Sequence, residues 1–180
     1  MPEYVGRAKA VRCLEKARQD GTESGELEAV YRTVKEALAL PETVEEMAKD
    51  TSFGSVVYAN KPGDGSAREQ AASCQRVLGG AANIALEYAT KRYRSNVMNW
   101  GMLPFLASYE DSRKLAVGDL VYVPHVREIL LGETDTYKAY VIRDGKKTAE
   151  ITLHLGSVEP SQKDILAAGC LINYYAGNKK

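Results

Sequence analysis

Apolar positions divide the chain into three textures. In residues 7–19, RAKAVRCLEKARQ, Ala8, Val11, Leu14 (or Ala10) and Ala17 recur at the spacing that lines one helical face. DGTESG interrupts the pattern, and Leu27, Val30, Tyr31, Val34 and Leu38 resume it, which predicts a second amphipathic helix over 25–39. Pro41 opens a third, short helical stretch, ETVEEMAKD, whose acidic residues come early, where they complement a helix N-terminus. From residue 54 the pattern changes. GSVVYAN reads as a buried strand, PGDGS as a tight turn, and residues 67–78 as a helix stopped by Gly79 and Gly80.

Beyond that helix, ANIALEYA reads as a strand or a strand plus turn. KRYRSNVMN (91–99) is a basic, polar stretch, and WGMLPFLAS is apolar but interrupted by Gly101 and Pro104. The last third alternates: DLVYVP, VREILLG, YKAYVIRD and TAEITLHL read as strands, with DGKK at 144–147 as the clearest hairpin turn. SQKDILAAG (161–169) closes the chain as a short helix, with Ser161 and Asp164 near capping-box spacing and Gly169 as its stop. The periodicity predicts an α/β chain with a helical start and a strand-rich second half. There is no internal repeat and no long linker, so residues 1–180 are expected to form a single domain.

Composition narrows the function. Lys plus Arg and Asp plus Glu both number 24, and this balance gives no global attraction to nucleic acid or anionic lipid. Hydrophobic residues at 44% are enough for a core in a chain of 180 residues. Cys13, Cys74 and Cys170 are scattered and odd in number, which disfavours a disulfide framework and predicts an intracellular, cytoplasmic protein. Cys74 is expected on the packed side of its helix, and Cys13 and Cys170 as small hydrophobes. His125 and His154 have no partners at ligand spacing, so no metal site is expected in this chain. Neither a secretory leader nor a membrane-spanning run is evident.

The stretch GDGSARE concentrates the candidate chemistry. Gly63 and Gly65 admit backbone angles that a β-carbon penalises, and Gly65 also leaves space beside the chain. Ser66 and Glu69 have the spacing of a capping box, a structural device. Arg68 in the first helical turn opposes the helix dipole unless an anion sits between its guanidinium and the free amides. Both readings, helix cap and anion site, stand on the residues alone. The turn is neither a phosphate-binding P-loop, since no G-K-S/T follows, nor the dinucleotide fingerprint, since Arg68 occupies the third glycine's place.

GDGSAREQAASCQRVLGG resembles the signature of the small swivelling domain of aconitases, homoaconitases and isopropylmalate isomerases, G-x-G-S-S-R-E-H/Q-A-A followed by R-x-L-G. Gly63, Gly65, Ser66, Arg68, Glu69, Gln70, Ala71 and Ala72 fit it, as do Arg76, Leu78 and Gly79. Asn96 and Gly101-Met102-Leu103-Pro104 are similar to the family's N-x-x-x-x-G-I/L-L-P, and AAGCLINY is similar to its ending. The resemblance covers residues 54–176, the swivel body, with residues 1–50 as a helical lead-in. It implies a three-layer β/β/α domain with a small closed barrel, and a fragment of a longer hydratase whose opening strand lies upstream of Met1 or is missing.

The resemblance further implies a hydro-lyase that removes water from a hydroxy-polycarboxylic acid and adds it back. Its 4Fe-4S cluster is then carried by other domains or a large subunit, with no cofactor on this chain. By position, Ser66 is the base that takes a proton from carbon and Arg68 binds a substrate carboxylate; Gly65 and Ala67 line the substrate, and Gly63 and Glu69 hold the turn. Two departures matter. Ala67 replaces the signature's second serine, and a lost donor facing developing charge costs about 2.7–4 kcal/mol. The run from Glu87 to Asn96 is one residue longer than the family's, so Lys91, Arg92 and Arg94 are either substrate contacts or a solvated basic loop. The alternative is a carboxylate-binding or structural module that has lost turnover. An RNA-associated role is disfavoured by the zero net charge and the single short basic run.

Overall fold

The computed structural model describes residues 2–177; Met1 and residues 178–180 of the expected single domain lie outside them. The helical lead-in comprises α1 (Pro2–Asp20), α2 (Gly25–Leu38) and α3 (Val44–Asp50). The body follows as β1 (Ser55–Ala59), α4 (Arg68–Val77), β2 (Gly80–Ala85), α5 (Lys91–Asn99), β3 (Leu103–Ala107) and α6 (Tyr109–Ser112). It continues with β4 (Leu120–Tyr122), α7 (Val126–Leu131), β5 (Tyr137–Arg143), β6 (Lys146–His154), α8 (Pro160–Ala167) and α9 (Leu171–Gly177).

The strands form one six-stranded mixed sheet in the order β1-β2-β3-β6-β5-β4. β1, β2 and β3 are parallel, connected through α4 and α5, while β6, β5 and β4 are antiparallel. The sheet is open. β1 and β4 lie at opposite edges and do not pair, so the expected closed barrel and second sheet layer do not form. Near the β4 edge the lead-in contributes its own core: Leu27, Tyr31, Val34 and Met47 pack with Ile142, flanked by Leu120 and Tyr122. That α-on-β packing buries apolar surface which a barrel would have to bury by strand closure.

Local chemistry explains most elements. Thr43 caps α3 through a reciprocal capping box with Glu46. Asp144 and Gly145 both take positive φ (50° and 73°), the two-residue turn that matches strand twist between β5 and β6. The main core lies over the sheet: Ile84, Met98, Phe105, Tyr137, Val141, Ile151 and Leu153 are buried together, with Phe105 and Tyr137 edge-on at 5.1 Å.

Several expectations are corrected. The 91–99 stretch is a helix: Tyr93, Val97 and Met98 fall on one buried face, and Thr90 caps it. VREILLG is helix α7, because Val126, Ile129 and Leu130 meet the core at i, i+3 and i+4. α8 starts earlier than expected, with Glu159 and Gln162 forming the capping box in place of Ser161 and Asp164. β1 is an edge strand with Val56, Val57 and Tyr58 40–46% exposed, because only β2 pairs with it. Pro104 sits inside β3 without breaking it, since β6 pairs β3 only at Leu106 and Ala107 and no ladder bond is needed from residue 104 on that side. Among the described residues, no helix is long and apolar enough to cross a membrane.

Candidate active site

In open α/β sheets the crevice outside the carboxyl ends of parallel strands is the common ligand position. The loops that leave β1 and β2 meet there. Leu86 and Glu87 donate their amides to the Asn60 carbonyl at 3.2 and 3.1 Å, and Ala89 donates to the Pro62 carbonyl at 3.0 Å. The Gly63–Ala67 turn and the start of α5 are thereby held side by side.

Gly63 is the pivot. Its φ is 97°, and a β-carbon there would lie 2.5 Å from the Tyr93 side chain, so no other residue fits without displacement. Its carbonyl accepts from Arg68 Nε at 3.1 Å and from the Thr90 hydroxyl at 3.2 Å. Tyr93 is held in turn: the buried Asn83 amide donates to its hydroxyl at 3.2 Å, and Gln75 donates to Asn83 Oδ1 and, at 3.2 Å, to the Ala82 carbonyl. The Tyr93 ring therefore acts as a wall, with its hydroxyl already engaged.

Beside this pivot lies a small cleft of about 140 Å³, lined by Gly63, Gly65, Ala67, Arg68, Ala71 and Tyr93. A β-carbon on Gly65 would meet nothing within 4 Å, so the fold itself does not require glycine there; its small size keeps the outer side of the turn open. Arg68 is half-buried, with Nε committed to Gly63, and neither of its Nη atoms has an acceptor among the described residues. The first-turn amides of Arg68 and Gln70 likewise find none among the described residues. A guanidinium edge and helix-end amides at one cleft form a chemical match for a carboxylate.

Ser66 is placed differently from the capping role. The N-cap of α4 is Ala67, which makes no side-chain cap bond, and the helix begins one residue later than a Ser66 cap requires. The Ser66 side chain is exposed and its hydroxyl has no partner among the described residues. It stands at the rim, between two lining residues, and is not itself in the lining. Glu69 turns to α5 instead of reaching back: Trp100 Nε1 donates to its Oε1 at 2.7 Å. The Asn96 amide, in the orientation that satisfies both groups, donates to Glu69 Oε2 and accepts from the Glu69 amide, each at 3.1 Å. Glu69 thus clamps the first turn of α4 to the end of α5.

The basic cluster does not act as a unit. Lys91 and Arg92 are exposed on the first turn of α5. Arg94 is drawn away to the end of β6, where it donates to the carbonyls of Leu155 and, at 2.9 Å, Ser157. Burial raises the Tyr88 phenol well above its ordinary value, so it stays protonated at neutral pH. Cys74 is exposed, not packed, as is Cys13, while Cys170 is half-buried. Among the described residues no three His, Cys, Asp or Glu side chains are gathered to hold a metal ion. An iron–sulfur cluster needs several thiolates held close together, so the three cysteines of this chain do not fit one.

Thr90, Tyr93, Asn83 and Trp100 join the site only through the tertiary structure. Of these, Thr90 carried a usable signal, as an N-cap residue ahead of an apolar i, i+4 pair (Tyr93, Val97).

The open sheet, the glycine turn running into a helix N-terminus and the adjoining cleft define an α/β domain with a small open cleft at its parallel edge. The aconitase C-terminal domain family matches residues 11–110, which include β1–β3, α4 and α5. The chain is also similar to the methanogen homoaconitase small subunit of Methanocaldococcus jannaschii, with 31% identity over 136 residues, 75% of this chain and 69% of that protein. The chain belongs to the aconitase C-terminal domain family, which links it to hydro-lyase chemistry.

Proposed function

We propose that this chain is the substrate-closing domain of a hydro-lyase acting on a hydroxy-di- or tricarboxylic acid. It works with partner domains, or a large subunit, that carry the family's 4Fe-4S cluster. In this reading Arg68 receives a substrate carboxylate on its two Nη atoms, and Ser66 takes the proton from the carbon next to it. The cluster supplies Lewis acidity from its own domains; this chain contributes binding, orientation and the proton acceptor.

The observation that carries the reading is the guanidinium of Arg68, fixed at Nε and with no acceptor at either Nη atom among the described residues, beside a cleft at a helix N-terminus. The unengaged Ser66 hydroxyl supports it, since a cap would have its lone pair occupied. A serine alkoxide is too basic to persist in water, and burial by itself disfavours it further; helix-end amides and an adjacent arginine stabilise the anion, an attraction that desolvation of the site strengthens. Closure of the partner domains over the exposed rim would provide that desolvation. Glu69, engaged by Trp100 and Asn96, holds the turn and takes no part in proton transfer.

A second reading, a carboxylate-binding module without turnover, is favoured by one observation: Ala67, a lining residue, offers no hydroxyl where the family signature has one. Reconstitution separates the two. Mixing the chain with its cluster-bearing domains should produce dehydration of a hydroxy-polycarboxylate, read as absorbance of the unsaturated acid. Absence of turnover with malate-type and tricarboxylate substrates, together with retained binding, would select the module.

A further inference from the structure

We propose that Thr90 is the positioning residue for the carboxylate-binding arginine. This rests on the reading above, in which Arg68 receives the carboxylate. Thr90 lies 27 positions from Gly63 in sequence, yet its hydroxyl performs two tasks at one point. It accepts from the Tyr93 amide at 3.2 Å, which caps α5, and it donates to the Gly63 carbonyl at 3.2 Å. That carbonyl is the acceptor for Arg68 Nε.

The logic is one of geometry passed along a rigid chain. A carbonyl oxygen has two lone pairs, and here Thr90 and Arg68 use both. Gly63 is held in place by its positive φ and by the Tyr93 ring against it. Tyr93 is anchored through Asn83, which is 2% exposed within β2. Arg68 Nε is therefore bonded to an atom whose position is set by the sheet through α5. Pinning Nε fixes the guanidinium plane and leaves the two Nη atoms as a fork, the arrangement that binds a carboxylate bidentately. Without the Thr90 donor, the Gly63 carbonyl loses one of the bonds that fix its direction, and the arginine loses its reference point.

NMR on the isolated chain tests this with citrate as probe. The first measurement follows solvent exchange of the Arg68 Nε–H without ligand. In the wild type it should be protected. Thr90→Gly, which retains most of the N-cap preference but lacks the hydroxyl, should lose that protection. The second measurement is citrate affinity. Thr90→Gly and Thr90→Val should weaken it about tenfold, as expected for loss of a hydrogen bond that organises a charged group. Thr90→Ser, which keeps the donor, should stay within about twofold of wild type. In an Arg68→Ala background, Thr90→Gly should have no further effect.

Wild-type protection and affinity in Thr90→Gly would overturn the inference, as would an undiminished Thr90→Gly effect in the Arg68→Ala background. Citrate binding that is insensitive to Arg68→Ala would instead remove the carboxylate reading of Arg68. In that case the exchange measurement still decides whether Thr90 orders the side chain.

Discussion

β1, β2 and β3 run parallel and each ends in alanine; β6, β5 and β4 run antiparallel and bury Tyr137, Ala139, Val141, Ile151 and Leu153. The parallel half has an exposed edge strand, a glycine turn and a cleft. Its interior includes a buried amide, Asn83, committed to hydrogen bonds. The antiparallel half is joined by a two-residue hairpin and packs side chain on side chain. The family match lies over the first half and ends at residue 110, ahead of β4, β5 and β6. The difference teaches where each property resides. Local hairpin pairing and buried apolar side chains hold the antiparallel half together, and its core runs on to Ile84 and Phe105 of the parallel half. Loops at the carboxyl ends of parallel strands provide open groups in the other, because the crossover helices leave helix N-termini at that edge.

The largest expected effect falls on the parallel half alone. In the reconstituted enzyme, Ser66→Ala should lower kcat by about 10²–10⁴, the usual contribution of a positioned proton acceptor. Stability should stay within about 0.5 kcal/mol, since the hydroxyl caps nothing. A parallel loss of stability in urea titrations would return Ser66 to a structural role.

Leu153→Ala provides the converse. Leu153 is 0% exposed in the main core, and truncation should cost about 2–5 kcal/mol in urea unfolding. Citrate affinity of the folded fraction should be unchanged. A matching loss of affinity would mean the two halves are coupled and the division fails.

Glu15 tests whether the lead-in belongs with the rigid part. Burial alone would raise its carboxyl, but hydrogen bonds from Arg18, the Phe53 amide and Gln19 outweigh this and hold it below its ordinary value of 4.5. A depressed carboxyl stabilises the fold above its unfolded value and loses that contribution as pH falls through the folded one. Glu15→Gln should therefore cost about 1.5–3 kcal/mol at pH 7 and less at pH 3, measured by denaturant unfolding at both. An equal cost at both pH values would refute the charged role.

The smallest effect is expected at the clamp between α4 and α5. Glu69→Ala, which removes the acceptor, should cost about 1 kcal/mol and shift the emission of Trp100, the single tryptophan of the chain. Unchanged emission would mean that the Trp100–Glu69 bond does not persist in solution.

Much of the fold was legible from local pattern. The lead-in helices follow their apolar period, Asp144–Gly145 marks its hairpin, and the run from Gly63 to Ala72 marks the family. Basic residues obscured α5, although Tyr93, Val97 and Met98 kept helical spacing. Val126 and Ile129 suggested a strand because β-branched residues favour one, but packing against the core selected a helix. The barrel came from resemblance, and the sheet order shows it open.

Sequence by itself determined the period of the helices, the turn chemistry and the presence of a serine and an arginine at the start of α4. Those properties depend on neighbours within about four residues, through backbone sterics and i, i+4 contacts. Tertiary structure alone decided that the sheet stays open, that Ser66 caps nothing, that Glu69 faces Trp100, and that Thr90 and Arg68 share the Gly63 carbonyl. These depend on which distant segments pack together, and that choice is made by burial of the whole chain.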